Sequence, residues 1–433
     1  MSIQTSQTTL DEKKWKTFVA AQAPDFAGTA FMPALVTDPG HVSGLIDDAL
    51  RTATHSAPGD LRLRAFRPGA FDYRLTKRFI DSPLAPGESA VAWLARTADS
   101  SSECLAVNDV SSWSLPLTGW IAALVREIVS EGVHELPSGT DVYTFVADSG
   151  WTPFGIHKDS EPSLIFHLGP SPKEVWVWQE NPFDASGITP SPSFGRITFD
   201  IEQHLSAAEH FVLQPGDFIC IPKDTYHVFR NAGPSAFLGL TLYPVKTRSL
   251  IAEALWRSAP EDLHPTLAPY PTAHQLSTLT HALLTIPASA AAEAAEAADA
   301  AAPVGSADAL TLADRVAAEI ALGQLRLRTS GHLSRPHPAA LPADGPAHGL
   351  LLRWAHPGVV AAARTASGAV LVVRGRHLPV SDGLDFSALE QATRSTQPFT
   401  LAGLAERLPD GLDADRRSAL ARRLYLLGAV TAA

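Results

Sequence analysis

Phe154-Gly-Ile-His-Lys-Asp159, followed later by Leu213-Gln-Pro-Gly-Asp-Phe-Ile-Cys-Ile-Pro222 and Tyr226-His-Val228, decides how this chain is read. His157 and Asp159 stand two apart, and on an extended strand such residues project to the same face. An imidazole and a carboxylate are thereby aimed together. The second stretch reads as turn, strand and stop: Pro215-Gly216 suits a tight turn, Phe218–Ile221 is a short apolar run, and Pro222 cannot continue a central ladder. That turn and strand deliver His227 from a distant strand to the first pair. With 16 His in the chain a lone His-x-Asp arises by chance; the ordered elements that accompany this one mark it as a metal-ligand set.

Two imidazoles and one carboxylate are the facial set of non-haem Fe(II) oxygenases, which leaves coordination positions open for cosubstrate and oxygen. Around the set run Val142-Tyr-Thr-Phe145, Trp151-Thr-Pro-Phe154, Leu164-Ile-Phe-His-Leu-Gly169 and Lys173-Glu-Val-Trp176. From about Asp141 to Tyr243 these residues resemble the JmjC branch of the double-stranded β-helix (cupin-like, jelly-roll) oxygenases, and within it the ribosomal-oxygenase and protein-hydroxylase group. The carboxylate here is Asp, rather than the Glu common among histone demethylases. The resemblance implies Fe(II) held by His157, Asp159 and His227, and 2-oxoglutarate as cosubstrate. Lys173 is then the cation for its distal carboxylate, with hydroxyl help from Tyr143, Thr144 or Thr241, although each of these is also an ordinary strand residue. The implied substrate is a side chain of a protein or peptide, which the enzyme hydroxylates. The chain departs from the family at His167, where the family often has Gln, and in the longer Gly169-Pro-Ser-Pro-Lys173 turn. The alternative is a metallo-cupin dioxygenase or isomerase acting on a small molecule without 2-oxoglutarate. Lys173 and an appended domain favour the first reading. A non-catalytic regulator fits an intact ligand set least.

Other polar residues read more plainly. His167 is a core or cleft histidine, His204 and His210 lack partners at ligand spacing, and Asp217 stabilises its turn. Trp176 and Trp178 share one face and read as core.

Composition bounds the remainder. With 433 residues, 45% hydrophobic and 18% charged, the chain suits two or three ordinary globular domains. A net charge of −11 argues against a nucleic-acid sleeve, because duplex binding draws on clustered basic surface. The 2 cysteines, Cys104 and Cys220, indicate a reducing compartment without a disulfide framework. The N-terminal stretch lacks the basic-then-apolar pattern of a secretory signal, and no apolar run is long enough to span a membrane. A cytoplasmic protein is the expectation.

The expected architecture is β-rich α+β, in four parts. Residues 1–140 form a mixed lead-in, with a core-facing helix near 116–129 that turns Ile121, Leu124, Val125 and Ile128 to one side. Residues 141–247 form the catalytic core, with strands near 142–146, 163–168, 174–178, 210–213, 217–221 and 237–243 and a long 179–200 loop. Residues 248–305 carry helices near 249–256 and 273–284, then an Ala-rich linker, 287–302. Residues 306–433 begin with a helix at 310–320 and continue with strands at 350–354 and 369–374. Helices at 386–394, 400–408 and 413–427 complete a part that resembles a winged-helix domain. Its last helix has a Leu420, Leu424, Leu427 stripe and a Gly428 stop. Arg416, Arg417, Arg422 and Arg423 make that helix basic, but Asp410, Asp413 and Asp415 sit beside it, so a solvated face is expected rather than DNA recognition. Such a domain is expected to support dimerisation, giving a homodimer, or substrate presentation.

Overall fold

The computed structural model describes residues 9–22, 25–68, 70–130, 137–181, 183, 190–191, 195–196, 200–244, 251–252, 254–255, 312–365, 368–380, 384–408 and 412–433. The chain divides into two compact units, Met1–Pro244 with Pro336–Leu341, and Val245–Arg335 with Pro342–Ala433.

In the first unit the strands are β1 (Ala30–Met32), β2 (Arg62–Arg67), β3 (Ala70–Phe71), β4 (Cys104–Asn108), β5 (Pro137–Ala147), β6 (Gly150–Trp151), β7 (Ser163–Pro170) and β8 (Lys173–Trp178). There follow a short pair, β9 (Pro190–Ser191) and β10 (Gly195–Arg196), then β11 (Glu209–Leu213), β12 (Phe218–Ile221), β13 (Tyr226–Asn231) and β14 (Ser235–Pro244). Eight of them form one antiparallel sheet in the order β1-β12-β7-β14-β5-β4-β2-β3, and four form a second, β11-β8-β13-β6. Strand alternation explains the layering. Phe145, Ile165, Ile219 and Phe237 of the large sheet meet Val175, Val177, Leu213 and Phe229 of the small one in a single buried cluster. The alternate residues point outward. Phe166 and Phe218 pack under Trp15 and Phe18 of helix Glu12–Gln22 and Trp120 of helix Leu115–Ser130. Each fully buried Phe contributes about 1.5–3 kcal/mol. Trp176 and Trp178 face out from the small sheet and are buried with Ile156, Phe183, Ile201 and Val228.

All six expected strand runs lie on strands, and Ile121, Leu124, Val125 and Ile128 are buried as their spacing indicates. The lead-in contributes more than expected: β1 extends the large sheet beyond β12, and β4, β2 and β3 extend it beyond β5. Much of the 179–200 loop, half of the 249–256 helix, and all of 273–284 and 287–302 lie outside the described residues.

The second unit contains helix Leu312–Thr329, a strand pair β15 (Leu352–Trp354) with β19 (Val430–Ala432), and a sheet of β16 (Val360–Thr365), β17 (Gly368–Val373) and β18 (Arg376–Pro379). Helices Phe386–Ala392, Leu401–Arg407 and Ala414–Leu426 begin where Asp385, Thr400 and Asp413 cap them, each side chain accepting from a backbone N–H three residues on. Leu420 and Leu424 enter a core with Leu352, Leu371, Leu389 and Leu404, while Leu427 is half-buried and Gly428, at φ +72°, ends the helix. The first helix runs to Thr329 rather than stopping near 320, because Leu322 and Leu325 continue its apolar face against Val370 and Val372. Arg416, Arg422 and Arg423 are exposed, the solvated face their neighbours suggested.

Candidate metal centre

His157 and His227 face each other in an isolated antiparallel bridge, each donating its backbone N–H to the other's carbonyl at 3.1 and 2.8 Å. Only this bridge is strand-like. Asp159 lies just beyond it in non-regular backbone, anchored where its carbonyl accepts the Asp224 N–H at 2.7 Å. The geometry that two-residue spacing predicts is therefore reached with one ligand in a bridge and one past its end, because the following turn leaves no partner strand for Asp159. One ligand atom from each of His157, Asp159 and His227 lies within 4.8 Å of the others. The imidazole centroids are 4.4 Å apart, and His227 Nε2 is 3.7 Å from Asp159 Oδ2. His227 is buried; His157 and Asp159 are partly exposed, so the cluster opens on their side.

Both imidazoles are oriented by the backbone. His157 Nδ1 is 3.1 Å from the Gly155 carbonyl and His227 Nδ1 is 3.0 Å from that of Thr225. A carbonyl only accepts, so each Nδ1 carries the proton and each Nε2 keeps its lone pair for a ligand bond. Burial and the neighbouring His157 push His227 down to about 4, which keeps it neutral. Burial alone would raise Asp159, but His227, His157 and the Ser163 hydroxyl hold its carboxyl below the usual range.

Ser163 had no motif to announce it. Its Oγ donates to Asp159 Oδ2 at 3.1 Å, and the Tyr143 hydroxyl bonds both Ser163 and Thr241. Ser163 and Thr241 are register partners on β7 and β14, so the network bridges two strands. Tyr143 reaches it because the opposite residue on β14 is Gly239, where a Cβ would overlap the Tyr143 ring. The structure thus brings Tyr143 and Thr241 to the ligand cluster. It does not bring Thr144: adjacent strand residues face opposite ways, Phe145 packs inward with Tyr143 against the same cluster, and the Thr144 hydroxyl is occupied by the Phe237 carbonyl at 2.9 Å.

Lys173 opens β8 on the inward face that also carries Val175 and Val177. It is fully buried, its Nζ bonded to Asn231 Oδ1 and placed 5.2, 5.8 and 6.0 Å from the ring centres of Phe237, Phe145 and Phe229. Burial pushes its pKa down to about 7. On β13 its ring neighbour Phe229 and its amide partner Asn231 lie two and four residues beyond His227, so the ammonium lies further in than the metal-ligand level. His167, also fully buried, makes one bond, Nε2 to the Ser171 carbonyl at 2.8 Å; its Nδ1 has no partner among the described residues. Burial and the nearby Lys173 push it down to about 4. It is a core histidine.

The remaining candidates are structural. Asp217 accepts the Gln214 N–H within its turn and the Ala34 N–H from the lead-in, both at 2.7 Å. His210 stacks on Trp176 at 4.4 Å on the outer face, beside Glu174. The His204 carbonyl accepts the Trp178 indole N–H. Cys104 and Cys220 are both buried and free. No helix among the described residues is long and apolar enough to cross a membrane.

No family model and no curated protein sequence matches the chain. Solved structures do. The crystal structure of Escherichia coli ycfD is 15% identical, with a TM-score of 0.51 over 98% of this chain and 99% of that one. A structure of YcfD, described as a ribosomal oxygenase from E. coli, in complex with cobalt and 2-oxoglutarate is 15% identical, TM-score 0.45, over 93% and 94% of the two chains. The α-ketoglutarate-dependent epimerase SnoN from nogalamycin biosynthesis is 13% identical, TM-score 0.29, over 54% of this chain and 84% of that one. The first of these shows a fold shared along nearly the whole chain, the fold that the JmjC-type resemblance leads one to expect.

Proposed function

We propose that this protein is an Fe(II)- and 2-oxoglutarate-dependent oxygenase that hydroxylates a side chain of a protein or peptide. The observation that carries this reading is the pairing of two features in one interior. Two imidazoles with free Nε2 lone pairs converge with a carboxylate oxygen, and a buried lysine lies further in on the same inward face. The donor set fits a divalent first-row ion that prefers nitrogen and oxygen ligands. Lys173 fits one end of a short dicarboxylate, and a metallo-cupin that uses no such cosubstrate gives a sealed lysine no task.

The residues divide the work. His157, Asp159 and His227 would hold Fe(II) on one face. With the cosubstrate bound, the centre supplies insertion of an oxygen atom into a substrate C–H bond, coupled to decarboxylation of 2-oxoglutarate. Ser163 and Tyr143 keep the Asp159 carboxylate turned toward the imidazoles. Lys173 neutralises the distal carboxylate, and Phe145, Phe229 and Phe237 keep water from it. The partly exposed His157 and Asp159 leave the approach open at the surface, which suits a side chain presented by a large partner.

The strand order supports a double-stranded β-helix as the catalytic core. β12, β7, β14 and β5 are neighbours in one sheet; β11, β8, β13 and the His157 segment are neighbours in the other. In this reading residues 141–247 form that core behind the 1–140 lead-in, 248–305 is a helical linker, and 306–433 is a winged-helix-like domain that serves dimerisation or substrate presentation. Two buried free thiols agree with a reducing, cytoplasmic setting.

Full-length protein loaded with Fe(II) should convert 2-oxoglutarate to succinate and add one oxygen atom to a protein in a lysate, read by mass spectrometry. Metal binding without any 2-oxoglutarate turnover would overturn the assignment in favour of the small-molecule metallo-cupin.

A further inference from the structure

In the second unit, β17 and β18 are joined by the turn Arg374-Gly375, and both residues have positive φ, 46° and 73°. Glycine takes that conformation freely, whereas for an arginine it is strained. The Arg374 side chain is also fully buried. Its Nε donates to the Gly428 carbonyl at 2.6 Å, at the C-terminal end of helix Ala414–Leu426, where the helix dipole favours a cation. That satisfies one of the five N–H bonds of a guanidinium. Nη1 and Nη2, which carry the other four, are closed to solvent and have no hydrogen-bond partner among the described residues.

Among the described residues no carboxylate makes up the deficit. Burial is the one influence on the Arg374 pKa, pushing it down to about 10, so the group stays charged at neutral pH. Glu319 and Glu390 answer Arg326 and Arg328 instead, at 3.5 and 3.7 Å. The surroundings add positive charge. The Arg335 side chain lies against Gly375, and Arg335 adds to the effect of burial in lowering Arg376. Arg376 is half-exposed and follows the turn directly, so a second cation borders it.

A buried charge with most of its donors unmet is costly, and such groups in folded proteins are paired or hold a ligand. The two outer nitrogens of a guanidinium form a planar fork that matches the edge of an oxyanion. We propose that the Arg374 turn is a binding site for a small oxyanion of the phosphate or sulfate type, with Arg374 as its bidentate donor and Arg335 and Arg376 supplying the surrounding positive field. The enclosure of the guanidinium selects a small free anion over the backbone of a nucleic acid.

The test uses the full-length chain and inorganic phosphate, sulfate and acetate, at ionic strength held constant with sodium chloride. Isothermal titration should show saturable binding of phosphate or sulfate in the parent and in Asp159→Asn. Binding should be at least tenfold weaker in Arg374→Met. Without oxyanion, Arg374→Met should melt at or above the parent temperature; phosphate should raise the melting temperature of the parent and leave that of the variant unchanged. A parent that binds neither ion, or an Arg374→Met that binds them equally, overturns the proposal. So does acetate binding as tightly as phosphate, or a DNA oligonucleotide that binds in the parent where free phosphate does not. If Arg374→Met fails to fold, hydrogen exchange on the parent decides: phosphate should slow exchange in 371–376, and no change there overturns the proposal.

Discussion

At the mouth of the interior, His157 and His227 donate to the Gly155 and Thr225 carbonyls, Asp159 accepts from Ser163, and two of the three remain partly open to solvent. Deeper in, Lys173 meets a single amide oxygen and three phenyl rings, with no solvent at all. The mouth thus fixes direction and leaves exchange with water possible; the deep end fixes environment and lets burial set the charge. Damage at the two ends should therefore be legible in different measurements.

The largest effect is expected at the mouth. Asp159→Ala removes one of three ligand groups and leaves two imidazoles on an open face. Turnover of 2-oxoglutarate should drop below detection and iron affinity should fall, while the circular dichroism spectrum stays that of the parent. A variant with parental turnover would remove Asp159 from the ligand set.

At the deep end, Lys173→Ala should raise the apparent KM for 2-oxoglutarate about ten- to a hundredfold, the worth of a charge-assisted pair of roughly 1.5–3 kcal/mol. Iron affinity should barely move. If the variant titrates 2-oxoglutarate like the parent, the distal carboxylate is held elsewhere and the contrast between the two ends collapses.

Ser163→Ala tests whether orientation at the mouth is separable from charge at depth. Loss of a hydrogen-bond partner behind a ligand typically weakens metal binding by about tenfold or more. About tenfold weaker iron binding with an unchanged KM for 2-oxoglutarate is the expected pattern. A raised KM with normal iron affinity would instead place Ser163 on the cosubstrate.

The smallest effect is a pH dependence. Lys173 has its pKa lowered from 10.5 to about 7 in the folded chain. Between those values the unfolded chain binds a proton that the folded chain does not, so this group makes stability rise with pH across that window. Cosubstrate binding needs the charged form, so its apparent KM should climb severalfold as pH rises above about 7. Melting temperature of metal-free protein and affinity for 2-oxoglutarate should therefore run in opposite senses with pH, and Lys173→Met should flatten the stability trend. Parallel trends would mean that Lys173 is not the titrating group.

The ligand set was legible because three residues came with ordered elements around them. A turn and strand must place His227 somewhere, and Asp217, buried and bonded to both sides of its turn, does hold that turn. Lys173 was singled out by family resemblance alone, and what the structure adds is its complete burial, which composition does not imply. Thr144 illustrates a constraint available from the outset: it cannot share a strand face with Tyr143. Ser163 was not legible, since a serine at the start of a strand carries no pattern and its meaning arises from lying opposite Thr241. The strands β1 to β4 were hidden for a related reason. They are two to six residues long, and what makes β1 a strand is β12, far along the chain.

That last separation bears on how the chain is made. Asp217 Oδ1 accepts the N–H of Ala34 across 183 residues, and Met32 pairs with Phe218 beside it. At a synthesis rate of about 5–20 residues per second, β1 emerges roughly ten to forty seconds before its partner exists. During that interval the apolar Ala30-Phe31-Met32 segment and the facing side of helix Glu12–Gln22 have no sheet to cover. The lead-in thus stays without its sheet partner until late in synthesis, and the ligand set closes only when synthesis has passed His227.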